Sequence, residues 1–160
     1  MDYTVSDDRL ALLHAHFFEF SFDGRKPDRT IFEAIVNPVE YHIIAGNYNW
    51  DDGAEVLTWI VNSSLCDAGT ALMIFWRAQP DFYTQFLTAE EADYEAEVYI
   101  LVRTILDNWE AGFYQTSFIS YNPKADPMGA DPDYHHPKEK WRIPPALTQP
   151  VQGELEVLFD

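Results

Sequence analysis

At 160 residues, with 47% hydrophobic and 16% aromatic side chains, the chain has apolar material for one ordinary core without metals or disulfides. Its single cysteine, Cys66, excludes an internal bridge and reads as a buried thiol in a short apolar stretch. The formal charge of −17 at pH 7 disfavours direct binding to nucleic acid and favours a basic protein partner, whose approach such a field accelerates.

The charge is unevenly spread: from Thr30 to Tyr99 the only Lys or Arg is Arg77. Asp2, Asp7 and Asp8 occupy the N-terminus where a secretory signal needs positive charge. The longest apolar runs, Ala71 to Trp76 and Val98 to Val102, are far shorter than the ~20 residues that span a bilayer. The expectation is a cytoplasmic protein with no membrane helix.

Asp7 to Phe20 reads as a helix, with Leu10, Leu13, Phe17 and Phe20 recurring at three and four residues. Gly24 to Pro27 makes a turn, and Asp28 caps a short helix running through Val36. Asn37-Pro38 opens the next helix, with Glu40 placed to reach back to the cap amide, and Gly46 ends it. Asp52 is the expected cap of a helix carrying Val56, Leu57 and Ile60, with Glu55 as its reciprocal partner. Asp67 caps a further helix whose Leu72, Phe75 and Trp76 are buried, and Pro80 terminates that run.

The longest element begins at the Thr88 cap, with Glu90, Glu91, Asp93, Glu95 and Glu97 at the positive end of the helix dipole. Tyr99, Val102, Leu106, Trp109 and Phe113 form its apolar stripe, widened by Val98, Leu101 and Ile105, which predicts the central packing element. Beyond Gly112 the seven prolines from Pro123 to Pro150 exclude a long helix and predict extended chain, anchored by Trp141 and Ile143. The fold class is therefore mainly α: short capped helices plus one long helix in a single domain over 1–150, with an extended proline-rich tail. Residues 151–160 are set apart, because Leu155 to Phe159 resembles the recognition sequence of a tag-removing viral protease, with Asp160 where Gln is expected.

Chemistry-bearing clusters are few. On one helix His14 and His16 point about 200° apart and cannot share an ion. His135-His136 lies in a polar, proline-rich stretch beside Asp131, Asp133 and Glu139, which is ordinary loop composition. Asp51-Asp52 with Glu55 is the most enzyme-like group, since paired carboxylates can share a proton or hold a hard cation, but capping explains it more simply. A catalytic reading needs a second polar group such as His42 or Asn49 beside them. No phosphate loop, nucleophile elbow or zinc-ligand spacing is present in the sequence, so neither an enzyme nor a cofactor or metal site is expected.

The run Tyr48-Asn49-Trp50-Asp51-Asp52-Gly53, then Trp59-Ile60-Val61, then Cys66-Asp67-Ala68-Gly69-Thr70-Ala71-Leu72 with Phe75-Trp76, resembles the bacterial domain-of-unknown-function family numbered 4274. The resemblance covers roughly Glu40 to Phe86. It brings no catalytic residues; it implies a helical scaffold in which Gly53 and Gly69 allow close approach and Trp50, Trp59 and Trp76 fill the space between two turns. It also implies a setting, because small acidic proteins similar to this one are encoded beside polymorphic toxins and act as immunity proteins. The expected role is to bind and neutralise a cognate antibacterial toxin with a cytosolic target, delivered by a type VI or contact-dependent system. Asp81, Glu90, Glu91, Asp93 and Glu97, then Asp51 and Glu55, are the candidate toxin-binding residues, facing a basic active-site cleft. The alternative is a non-catalytic helical adaptor unrelated to toxins.

Overall fold

The computed structural model describes residues 2–159; Asp160, the position that departs from the protease recognition sequence, lies outside them. The chain is mainly helical. Its elements are α1 (Asp7–Phe17), α2 (Arg29–Glu33), α3 (Pro38–Gly46), α4 (Glu55–Val61), α5 (Ala68–Arg77), α6 (Pro80–Tyr83), α7 (Ala89–Ala92) and α8 (Ala96–Glu110), joined by short 3₁₀ turns. None of the described helices is long and apolar enough to cross a membrane.

Side-chain caps set most of the starts. Ser6 accepts from the Arg9 amide, Asp28 from Ile31, Asn37 from Val39, Asp67 from Gly69 and Thr88 from Glu91. Two expected capping boxes do not form. Glu40 is buried and accepts from the Arg9 Nη2 and Nε at 2.6 and 3.0 Å, tying α3 to α1 rather than returning to its own cap. Asp52 sits inside a 3₁₀ turn, Trp50–Asp52, and α4 starts just after Ala54, whose amide donates to Glu97 of α8 at 2.5 Å. A carboxylate from a distant helix satisfies the orphan donor that a local cap would otherwise take.

α1 stops three residues early. Glu19 adopts a left-handed conformation (φ 51°), and a 3₁₀ turn over Phe20–Asp23 brings Phe20 back into the core. The central packing element is α5 rather than the long helix: nine of its ten residues, Ala68 to Trp76, are buried, and it touches α3, α4, α6 and α8. A helix apolar on all sides belongs in the middle, whereas α8 is apolar along one stripe and covers one side. The three signature tryptophans do not share one space. Trp76 is buried against Phe75, Trp50 meets the edge of Tyr48, and Trp59 packs on Phe32.

The run from Thr88 is helical but not continuous. α7 and α8 are separated by a 3₁₀ turn, Asp93–Glu95, entered through Asp93 at φ 52°, ψ −111°, a conformation that costs a non-glycine residue about 1–3 kcal/mol. Gly112 at φ 71° closes α8, where an L side chain is disfavoured.

The tail wraps the helices as extended chain and is locked on by specific bonds. Fully buried Asp67 accepts from the Gly69 amide (2.9 Å), the Ile119 amide (3.2 Å), the Phe118 amide (2.9 Å) and the Thr116 hydroxyl (2.9 Å). A Cβ on Gly69 would stand 2.0 Å from the Ile119 carbonyl oxygen, so the tail approaches α5 only over glycine. The Trp76 indole donates to the Leu147 carbonyl, Trp141 donates to Phe86, and Arg77 pairs with Asp126. The Asp-x-Gly pattern therefore works as a clamp between the start of α5 and a strand-like segment about fifty residues later.

Residues 151–159 form a strap. Val151 pairs antiparallel with Tyr121 and Leu155 parallel with Ile119, and burial alternates along the segment so that Val151, Gly153, Leu155, Val157 and Phe159 face inward. Phe159 lies on His42 and under Arg77, in the space left by the missing side chain of Gly46.

Candidate functional site

Negative charge gathers where the 50–52 turn, the start of α4 and the start of α8 meet. The Glu97 carboxylate bonds the Ala54 amide and approaches Gly53, which at φ 86° keeps the turn open for it. The Tyr48 hydroxyl donates to the Gly53 carbonyl at 2.5 Å beneath. Burial, and then the nearby charges of Asp52, Glu97 and Glu55, push that phenol far above its ordinary value. Ser21 bonds one oxygen of Asp52, and the other oxygen is buried without a hydrogen-bond partner.

Asp52, Glu55 and Glu97 thus all lie near Tyr48, and Asp51 is exposed beside Asp52 in the same turn. Among the described residues no Lys, Arg or His comes within ion-pair distance of any of them. Six of the chain's ten Lys and Arg residues are paired elsewhere: Arg9 with Glu40, Arg25 with Asp23, Arg29 with Glu33, Arg77 with Asp126, Lys140 with Glu91 and Arg142 with Glu139. No group of three His, Cys, Asp or Glu among the described residues is arranged to hold a metal.

The seven residues singled out in the sequence divide. Asp51, Glu55 and Glu97 belong to this face, and exposed Asp93 lies one turn before Glu97. Glu90 is exposed on α7. Glu91 is tied to Lys140 at 2.8 Å, and this hydrogen bond holds its carboxyl below the usual range. Asp81 is apart, at the start of α6, where it lines a small cavity of about 30 Å³ with Thr84, His135, His136 and Glu139. Its Oδ1 is buried without a partner there.

His42 does not join Asp51 and Asp52. It is 2% exposed, shares a 2.8 Å hydrogen bond with Thr70, and lines a cavity of about 740 Å³ beneath the strap with Met73, Arg77, Tyr121 and Asp126. Burial, aided by the Arg77 charge, lowers its pKa to about 4. Cys66 is buried, and burial with the neighbouring Asp67 charge pushes its thiol well up. A second cavity, about 620 Å³ and open, lies between α2 and α4, with Arg29 stacked 4.8 Å from Trp59 over a floor of Phe32 and Tyr41.

The sequence reading passed over the apolar side chains around the acidic face. Tyr94 is 97% exposed and Ile100 51% exposed, with Glu97 between them at spacings of three. Phe22, 87% exposed, adjoins Ser21, the residue bonded to Asp52. Only its acidic neighbours hinted at Tyr94, since its place four residues before Val98 puts it on the buried stripe.

Residues 36–110 match the family model DUF4274, described as a domain of unknown function. The match contains the whole acidic face and extends beyond the motifs on both sides; it leaves out α1, α2 and the tail. No curated protein and no solved structure matches the chain.

Proposed function

We propose that this protein is an immunity protein, which binds a cognate antibacterial toxin acting in the cytosol and blocks it by laying an acidic face over a basic active-site cleft. The observation that carries the reading is the gathering of Asp52, Glu55 and Glu97 near Tyr48 at the Gly53 turn, with Asp51 exposed in the same turn and no cation in ion-pair reach of any of them among the described residues. Like charges held together oppose one another in the free protein, and a basic partner turns that repulsion into attraction. The toxin context, type VI or contact-dependent delivery, comes from the family resemblance.

The test is co-expression with the product of the adjacent reading frame. A toxic product that this chain neutralises and co-purifies with supports the proposal. A toxic product that it neither rescues nor binds ends it, and a neighbour unrelated to toxicity favours an adaptor. In the positive case, reversing Asp51 and Glu55 to Lys slows association about tenfold or more at low salt and flattens its salt dependence, because exposed charges act mainly on the rate of encounter.

A further inference from the structure

The apolar stripe of α8 runs through Val98, Leu101, Val102 and Ile105, and a helix continued one turn backward places Tyr94 on it, four residues before Val98. The chain does otherwise. The turn at Asp93–Glu95 breaks the register, and the ring that helical continuity directs toward the core stands in water, 97% exposed. Glu95 meanwhile accepts from the buried Tyr83 hydroxyl at 3.1 Å, so the turn is fastened from below. Tyr94 is surrounded in sequence by Glu90, Glu91, Asp93, Glu95 and Glu97.

We infer that Tyr94 is the anchor of the acidic face: its ring enters an apolar slot rimmed by Lys or Arg on a basic partner protein. The inference rests on the reading that this face binds such a partner, and adds which side chain holds it there. Charge complementarity names the occupant. An aromatic ring in an acidic surround is mismatched to nucleic acid, to an acidic protein and to a second copy of this face, whereas a basic rim satisfies the carboxylates and supplies cation–π contacts to the ring. Tyr also brings large, rigid contact area at small cost in side-chain freedom, which is why it recurs among residues that dominate binding.

The test uses the full chain and an inactive form of the adjacent-frame product, with association and dissociation followed separately. Tyr94→Ala is expected to speed dissociation at least about 30-fold with association within about twofold of wild type, while Tyr94→Phe stays within about threefold. Tyr134→Ala, which removes a half-exposed ring outside the face, leaves both rates unchanged. An exposed Tyr94 contributes nothing to the core, so the variant's circular dichroism and melting match wild type. Dissociation of Tyr94→Ala as slow as wild type overturns the anchor and leaves the function standing. Failure of the wild-type chain to bind overturns both.

Discussion

Replacing Asp67 measures how far the clamp stabilises the fold. In Asp67→Ala four donors lose their acceptor. Thr116 is exposed and Phe118 half-buried, so water re-solvates those two at little cost, but the Gly69 and Ile119 amides are buried and stay unsatisfied. Each orphaned buried donor costs about 1–3 kcal/mol, the Gly69 loss being that of the helix cap itself, giving about 4 kcal/mol for the two. Against a total of about 5–15 kcal/mol this is a large share. With a urea slope of about 2 kcal/mol/M the midpoint falls by about 2 M. Asp67→Asn keeps the oxygen facing Gly69 and Ile119 and turns an amide toward Phe118, so it loses about half as much. Urea melts of the two variants check the reasoning. A midpoint for Asp67→Ala within 0.5 M of wild type, on the order of 1 kcal/mol by the same slope, refutes it, as does equality of the two variants.

His42 links the strap to pH. Its native pKa of about 4 lies below the ordinary 6.5, so the unfolded chain binds the extra proton first, and stability is lost as pH falls from 6.5 toward 4. The full loss is about 3 kcal/mol; denaturation across that window checks it, and His42→Asn is expected to remove that part of the slope. Gly153→Val places a side chain in the space held by the Phe118 carbonyl, 2.1 Å from the Cβ. Exchange protection at the Leu155 and Ser120 amides is expected to drop by at least tenfold while the α5 amides stay protected; unchanged protection at Leu155 means the strap is not held by this pairing.

Helix starts were legible where a short polar side chain serves its own helix, as at Asp28, Asn37, Asp67 and Thr88. They were misread where the carboxylate has a distant partner. Nothing local distinguishes Glu40, bound to Arg9, from a capping-box residue, and nothing near Ala54 announces Glu97. The acidic face was half visible: Asp51, Glu55 and Glu97 are conspicuous as charges, but the docking of Glu97 at Gly53 and Ala54 depends on how α8 packs on α4. Glu91 looked equivalent to Glu97 because its neutraliser, Lys140, lies forty-nine residues away. Tyr94 escaped notice because periodicity assigns it to the core, and only the left-handed backbone at Asp93 takes it out.

The tail also supplies, late in the chain, partners for groups on the early helices. A nascent chain reaches Glu97 with every residue of the acidic face already made, yet three of the four donors to Asp67 arrive with residues 116–119, the acceptor for the Trp76 indole with Leu147, and the cover for His42 with Phe159. Until those segments dock, Asp67 keeps only the Gly69 amide of its four donors and the flank of α5 stays open. A chain released short of the strap would hold the same carboxylates and the same tyrosine without the rigid spacing that turns them into a surface.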